Sequence, residues 1–197
     1  TIDGVVKGNP RSLLLVEFAE ENMDENHRRL KKLHQLIGDL GYSWNKGIRN
    51  GGVVDVIDSN LQSKVSEMRK SGLNIMMSMK NDAKPVSFIE DCAVELKDLA
   101  EYTDGLNKVF DKYNVKGTWY AHASVGCLHV RPVLNMKINE DVKKMRMIAE
   151  EACALVKKFG GSFSGEHGDG IVRSEFIEKM FDKKVNNIFR QAKDLFD

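Results

Sequence analysis

Residues 118–134, TWYAHASVGCLHVRPVL, decide the fold, because they contain two strand-forming segments around a tight connection. We predict strands at 118–123 and 127–134, which are rich in β-branched and aromatic residues. A turn centred between Val125 and Gly126 would make His122 and His129 direct cross-strand partners. Their Cβ atoms would then lie about 4.5–5.5 Å apart, on one face of the hairpin.

The segments outside this hairpin mostly have helical periodicity, with apolar residues three and four positions apart. Strands separated by helices, together with one hairpin, predict an α+β fold in which helices pack on one face of a mainly antiparallel sheet. No Gly-x-Gly-x-x-Gly follows a strand, so the sequence shows no nucleotide-binding loop of its own. Further strands are predicted at 12–19, 85–91 and 162–166, and helices at 23–40, 59–70, 95–113, 139–159, 171–181 and 185–196.

The composition is that of a globular protein. The 197 residues are 42% hydrophobic and 30% charged, which suits one large domain or two small ones in close contact. A net charge of +1 gives no electrostatic reason to expect nucleic acid or a membrane surface as partner. Three cysteines without a Cys-x-x-Cys pair argue against a disulfide framework. With no signal-peptide pattern and no spanning segment, we expect a cytoplasmic protein.

A second short motif, SGEHGDG at 164–170, completes a candidate site. Glu166 could join His122 and His129 as the third ligand of a divalent metal ion, and water or substrate would fill the remaining positions. His167 could act as a general base, because an imidazole has an ordinary pKa of about 6.5.

Residue spacing alone leaves other roles open. The histidines could be structural, and Glu-His-Gly-Asp-Gly could be a solvated turn, as in a non-catalytic interaction module. The same three ligands could also serve a self-contained metal hydrolase, although the His-Glu-x-x-His helix motif and an obvious nucleophile are missing. We interpret Cys127 as a buried structural thiol rather than a ligand.

At these motifs the chain resembles a known family. Residues 120–132 (YAHASVGCLHVRP) and 160–170 (GGSFSGEHGDG) resemble the C-terminal domain of FAD-linked oxidases. The family includes the glycolate oxidase flavoprotein subunit, D-lactate dehydrogenase and D-2-hydroxyglutarate dehydrogenase, within the vanillyl-alcohol oxidase superfamily. Residues 87–94 and 171–181 fit the family more loosely, so that the resemblance covers nearly the whole chain.

The resemblance implies an architecture. Residues 1–197 would be a single domain with ferredoxin-like units, cut from a larger flavoprotein. An N-terminal domain outside this chain would bind most of the FAD, so the isolated fragment would be inactive.

The resemblance also implies a ligand set and a reaction. His122, His129 and Glu166 would hold zinc or another divalent ion, which grips the hydroxyl and carboxylate of a small 2-hydroxy acid. His167 would take the hydroxyl proton while hydride passes to the flavin. D-lactate, glycolate and D-2-hydroxyglutarate are the substrates that this family suggests.

Three basic residues are candidates for the substrate's carboxylates. Arg69 and Lys84 match family positions that bind a carboxylate, whereas without the resemblance they would be a solvated helix arginine and a loop lysine. Arg131 shares a face with His129, and its forked guanidinium suits a second carboxylate. The rival role of Arg131 is a salt bridge at the strand edge.

The chain also departs from the commonest family pattern. VGCLHVRP at 125–132 resembles large bacterial members fused to an iron–sulfur segment, so the resemblance offers iron–sulfur clusters as one candidate electron acceptor and leaves the acceptor open. Many relatives have Gly-Asp-Gly-Asn where this chain has Ser124–Cys127, and a tryptophan where it has Ser66. These differences leave the substrate open but do not touch the metal ligands.

Overall fold

The computed structural model of the protein describes residues 4–45, 49–78 and 80–196, without the side chains of 73–77. The chain divides into two compact units, Thr1–Leu73 and Asn74–Asp197. The sequence-based prediction that 1–197 form a single domain stays a prediction. None of the helices within the described residues combines the length and the hydropathy that a bilayer span requires.

The first unit is built on α1 (Met23–Asp39) and the greater part of α2 (Ser59–Met77), with a short parallel pair between β1 (Tyr42–Ser43) and β2 (Arg49–Asn50). Asn22 caps α1, because its side chain accepts a hydrogen bond from the backbone N–H of Asp24. The helix predicted at 23–40 agrees with α1 to within one residue. The helix predicted at 59–70 begins at the correct residue, but α2 continues past the predicted end.

The apolar run at 12–19 is not the buried strand that its composition predicts. Residues 12–19 have no regular secondary structure, and Leu13 and Leu14 are 67% and 72% exposed. A short apolar run favours burial but cannot specify what covers it. The prediction of a buried strand is wrong for the chain as described.

The second unit carries a sheet with one long central strand. Its elements are β3 (Lys84–Pro85), β4 (Cys92–Ala93), α3 (Leu99–Lys112), β5 (Gly117–His122), β6 (Cys127–Leu134), α4 (Asn139–Lys158), α5 (Gly170–Arg173), α6 (Ile177–Met180) and α7 (Lys183–Phe196). Strand β6 pairs antiparallel with β5 on one edge and with both β3 and β4 on the other. The predicted α+β class with an antiparallel sheet is confirmed.

The two faces of β6 have different surroundings. Side chains of a strand alternate between faces, and Leu128, Val130 and Leu134 enter the hydrophobic core. Helices α3 and α4 cover that face with fully buried side chains such as Tyr102 and Ile148. Truncating such a side chain to alanine would destabilise the fold by about 2–5 kcal/mol. The opposite face of β6 is left for polar side chains.

Several predicted elements are interrupted around this polar face. The strand expected at 85–91 ends at Pro85, the strand at 162–166 is one bridge between Ala93 and Ser162, and the helix at 171–181 is broken by a 3-10 turn. The backbone bends at Asp91, which has a φ of 60°, in the left-handed region. This bend matters for the site, because it separates β3 from β4 beside the middle of β6.

Candidate metal centre

The β5–β6 hairpin places His122 and His129 on one face, but not in the predicted register. Tyr120 is the direct partner of His129, and His122 pairs with Cys127. A 3-10 turn at Ala123–Val125 followed by Gly126 connects the strands, where the prediction had a two-residue turn. The two imidazoles are therefore diagonal neighbours, and their ring centroids lie 5.1 Å apart.

Gly126 explains why the turn takes this longer form. Its φ is 69°, and a Cβ atom at this position would lie 1.9 Å from the carbonyl oxygen of Val94. The backbone N–H of Val94 in turn donates to the carbonyl of Gly126 at 3.1 Å. Only glycine fits this close approach, which fixes the hairpin end against the chain that leaves β4.

Glu166 reaches both histidines from the loop that follows α4. Its Oε1 lies 2.9 Å from Nε2 of His129 and 3.7 Å from Nε2 of His122. The loop approaches closely because Gly165 has no side chain: a Cβ there would lie 2.9 Å from the carbonyl of Asp91 and 3.3 Å from Sγ of Cys127. We call His122, His129 and Glu166 the histidine cluster.

The histidine cluster is partly open to solvent. The side chain of His129 is 6% exposed, whereas those of His122 and Glu166 are 39% and 43% exposed. Burial lowers the pKa of His129 below its ordinary value, although the carboxylates of Glu166 and Glu90 act in the opposite direction. A neutral imidazole is the form that coordinates a metal.

The donor set fits a divalent cation. One ligand atom from each residue lies within 4.8 Å of the other two. Ligands of a tetrahedral zinc ion lie about 3.3 Å from one another, given bonds of about 2.0–2.1 Å. The two distances to Glu166 fall on either side of that separation. A cavity of about 360 Å³ adjoins the cluster and is lined by Ala93, His122, Val125, Cys127, Gly165 and Glu166.

The thiol of Cys127 lies at the edge of this cluster. Its Sγ is 3.5 Å from Oε1 of Glu166. Burial, followed by the hydrogen bond to Glu166, raises the pKa of the Cys127 thiol to about 12. The thiol is therefore protonated at neutral pH, as suits the structural role predicted for it.

A buried ion pair supports the loop that carries Glu166. Asp91 is fully buried, and its carboxylate accepts hydrogen bonds from the backbone N–H groups of Glu166 and His167 at 2.9 and 2.7 Å. Arg173 of α5 donates to the same carboxylate and to the carbonyls of Phe163 and Gly168. We call Asp91 and Arg173 the anchor pair.

The hydrogen bonds of the anchor pair also set its charge state. Burial by itself would raise the pKa of the Asp91 carboxyl. The two backbone N–H donors and the Arg173 guanidinium overcome that effect and hold the pKa below its usual value. Asp91 is thus a carboxylate whose lone pairs are committed to the loop.

His167 lies beside the cluster without joining it. Its ring is stacked on that of His129, with centroids 5.2 Å apart. Its Nδ1 is 2.6 Å from Oε1 of Glu90, and its side chain is 48% exposed. His167 is therefore a neighbour of the cluster through its contacts with His129 and Glu90.

The predicted carboxylate-binding residues have different surroundings. Arg131 contacts the Glu90 carboxylate through Nη2 and donates from Nε to Oγ of Ser87 at 2.9 Å, which fits its rival role as an ion pair. Lys84 of β3 is the cross-strand partner of Leu134 of β6. Leu134 lies about 17 Å along β6 from His129. Arg69 lies exposed on α2 in the first unit. Their roles in substrate binding stay predictions.

Sequence reasoning missed Glu90, Asp91 and Arg173. Both runs that contain them, 87–94 and 171–181, resembled the family, but no local pattern pairs residues that lie 82 positions apart. The available signal was a carboxylate pair at the end of the strand predicted at 85–91, since charged residues are almost never fully buried unless paired.

Comparison with known proteins agrees with the resemblance seen at the two histidine motifs. The family model described as FAD linked oxidases, C-terminal domain, matches residues 5–197. A D-2-hydroxyglutarate dehydrogenase of Haemophilus influenzae is 32% identical over 196 residues, which cover 94% of this chain and 18% of that protein.

Two further relatives are more distant. The glycolate oxidase subunit GlcD of Bacillus subtilis is 23% identical over 133 residues, covering 68% of this chain and 27% of that protein. A D-lactate dehydrogenase of Archaeoglobus fulgidus is 30% identical over 114 residues, covering 58% of this chain and 25% of that protein. The chain thus spans only a part of the length of each relative.

Proposed function

Because the chain belongs to the family of FAD linked oxidases, C-terminal domain, we propose that it is the substrate- and metal-binding domain of an FAD-dependent 2-hydroxy-acid dehydrogenase. The observation that carries the proposal is the convergence of His122, His129 and Glu166 beside an open cavity. The names of the relatives support D-2-hydroxyglutarate, D-lactate and glycolate as the substrate class.

Two nitrogen ligands and one carboxylate are the donor set of a catalytic zinc site with open positions. A bound divalent ion, for which we propose zinc, would supply the positive charge that orients the hydroxyl and carboxylate of the substrate and polarises the hydroxyl. Of the three ligand residues, buried His129 fixes one side, whereas His122 and Glu166 leave the cluster accessible from the cavity.

His167 is the proposed base. As the substrate is oxidised, the O–H bond breaks and its proton goes to a nitrogen of His167. The α-carbon loses its hydrogen as hydride, and the carbon–oxygen bond becomes a carbonyl. FAD, bound mainly by an N-terminal domain of the full-length protein, would supply the acceptor for that hydride. Iron–sulfur clusters remain one candidate acceptor for the flavin's electrons.

Arg69 and Lys84 are proposed to bind substrate carboxylate in the full-length protein, on the strength of the motif positions alone. A guanidinium and an ammonium both suit that task, and each would hold the substrate by charge-assisted hydrogen bonds. Their contribution would appear as a raised KM when either is replaced.

The first experiment asks whether the cluster binds metal at all. Zinc titration of the chain, followed by competition with a chromophoric chelator, is expected to give one tight site. His122→Ala and Glu166→Ala should each abolish it, whereas His34→Ala, an exposed histidine of the first unit paired with Asp55, should not. Unchanged zinc content in both cluster variants would overturn the proposed metal centre.

The second experiment asks which reaction the cluster serves. In the full-length flavoprotein, His167→Ala should lower kcat for 2-hydroxy-acid oxidation by about 10²–10⁴-fold. The isolated chain should hydrolyse neither esters nor amides. Flavin-free, zinc-dependent hydrolysis that is lost in His122→Ala would instead favour a self-contained metal hydrolase.

A further inference from the structure

We propose that Glu90 is a positioning residue that orients a metal ligand and the base together, through one carboxylate oxygen. Oε1 of Glu90 lies 2.6 Å from Nδ1 of His167 and 3.8 Å from Nδ1 of His129. Nδ1–H of each imidazole would donate to this oxygen. The inference rests on the proposed function, because it takes His129 as a ligand and His167 as the base.

The burial of Glu90 makes the contact unusual. Its side chain is 11% exposed, and carboxylates are seldom buried to that extent without partners. The partners of the other oxygen are known: Oε2 accepts a hydrogen bond from Oγ of Ser87 at 3.2 Å and contacts the guanidinium of Arg131. Arg131 and Ser87 therefore hold the carboxylate in one orientation, with Oε1 directed to the two histidines.

The strongest support for this role of Glu90 is an unpaired, buried nitrogen of His129. Nδ1 of His129 is buried and has no hydrogen-bond partner among the residues that the structure describes. Glu90 is the carboxylate next to it, at 3.8 Å, which is too long for a hydrogen bond. A small rotation of the His129 ring toward a metal at Nε2 would bring Nδ1–H to Glu90 and satisfy both atoms.

The chemical consequence is a fixed tautomer for both rings. A carboxylate that accepts from Nδ1–H leaves Nε2 as the nitrogen with the free lone pair. For His129 this is the atom that faces Glu166. For His167 it leaves a nitrogen able to accept a proton. Carboxylate groups behind ligating histidines typically raise metal affinity by 10- to about 100-fold, so Glu90 should do so here.

The test measures zinc affinity of the chain by chelator competition, with folding checked by circular dichroism and thermal unfolding. Glu90→Gln should weaken zinc binding by about tenfold, because an amide oxygen is a weaker acceptor than a carboxylate. Glu101→Gln, which removes an exposed acid from α3, is the matched control and should bind as the wild type does. Equal affinity in folded Glu90→Gln and the control would overturn the proposal.

A double variant guards against unfolding. Glu90→Met combined with Arg131→Met removes both charged partners, which leaves no unpaired buried charge. This variant should fold and bind zinc up to about 100-fold more weakly than the wild type. Wild-type affinity in the folded double variant would likewise overturn the role of Glu90.

Histidine tautomers supply an independent readout that a merely structural role would not move. Nitrogen-15 spectra of the zinc-loaded wild type should show His129 coordinated through Nε2, and both His129 and His167 protonated at Nδ1. The double variant should lose this preference. Protonation at Nε2 in the wild type would contradict the proposal.

The two levels of inference fail differently. Zinc binding that survives His122→Ala and Glu166→Ala would overturn the metal centre itself. Zinc binding that those variants abolish, but that the Glu90 variants leave unchanged, would overturn the positioning role alone.

Discussion

The anchor pair and the histidine cluster are neighbouring polar groups that differ in burial and in hydrogen bonding. They are in contact, because the backbone N–H of Glu166 donates to Asp91. In the anchor pair, Asp91 is fully buried and its carboxylate accepts hydrogen bonds from the backbone, from Ser164 and from Arg173. In the histidine cluster, His122 and Glu166 are over a third exposed, and one nitrogen of His129 is unpaired. The first group is satisfied by the protein, and the second is not.

This difference separates support from function. A buried charged pair with all its hydrogen bonds made can only hold structure, because binding a ligand would require breaking contacts that are expensive to lose. In the half-open cluster, a cation bound at Nε2 of His129 would add a contact, and the ring rotation proposed above would bring the unpaired Nδ1–H to Glu90. The backbone N–H groups of Glu166 and His167 link the two, since both donate to Asp91.

The largest expected effect comes from breaking the anchor pair. Arg173→Leu leaves the carboxylate of Asp91 buried and unpaired, so the free energy of unfolding should fall by about 3–5 kcal/mol. Urea unfolding monitored by circular dichroism measures this loss. Arg190→Leu is the matched control: its ion pair with Glu178 is 67% and 68% exposed, and its loss should change stability by less than about 1 kcal/mol.

A result in which both arginine variants are equally stable would remove the distinction between the anchor pair and the surface. A further check uses zinc: a folded Arg173→Leu should also bind zinc more weakly, because the loop carrying Glu166 is no longer held.

Zinc binding at the histidine cluster should stabilise the protein, whereas breaking the anchor pair should destabilise it. At a free zinc concentration 100 times Kd, the native state should gain about 2.7 kcal/mol and the Tm should rise. Excess chelator should return the Tm to its metal-free value. His122→Ala should melt near the metal-free wild type, since His122 is 39% exposed, but should show no zinc-dependent shift. A shift of wild-type size in His122→Ala would place the ion elsewhere.

Arg131→Ala decides between the two roles of that arginine. If Arg131 mainly holds Glu90, kcat/KM of the full-length enzyme should fall by a similar factor for lactate and for a diacid. We expect this outcome, because the guanidinium contacts the Glu90 carboxylate and Ser87. A charge-assisted hydrogen bond is worth about 1.5–3 kcal/mol, or roughly 10- to 150-fold. An additional loss of that size for the diacid alone would assign Arg131 to a second substrate carboxylate.

The smallest effect is expected at Cys127. Its Sγ contacts the carbonyl of Asp91 and Oε1 of Glu166 at the edge of the histidine cluster, as a structural thiol would. Cys127→Ser should change zinc affinity by less than about threefold, well below the tenfold or more of a group that orients a ligand. A loss comparable to that in His122→Ala would make Cys127 a ligand.

The sequence predicts the shared face of the two histidines correctly, but it does not predict the register of the hairpin that carries them. The predicted register paired His122 with His129, and the observed register pairs His122 with Cys127, which is a shift of two residues. Because side chains alternate with period 2, a shift of two keeps both histidines on one face, whereas a shift of one would have separated them. The register itself depended on Gly126 meeting the carbonyl of Val94, a contact between residues far apart in sequence. No periodicity within the hairpin encodes it.

The apolar run at 12–19 and the anchor pair show the same limit from two sides. Leu13 and Leu14 have strand-like composition, yet the described chain leaves them exposed. Asp91 and Arg173 are charged residue types that usually lie on the surface, yet here they are buried and form an ion pair with each other. Burial depends on what a residue meets in space, and local sequence reports only what it prefers.

Zinc K-edge absorption spectroscopy of the zinc-loaded protein tests the central claim most directly, because it reports the ligands themselves. We predict a shell of nitrogen and oxygen at about 2.0–2.1 Å, scattering from two imidazole rings, and no sulfur at about 2.3 Å. His122→Ala should remove one of the two imidazole contributions. A sulfur shell, or a spectrum without imidazole scattering, would contradict the assignment of His122, His129 and Glu166 as the metal ligands.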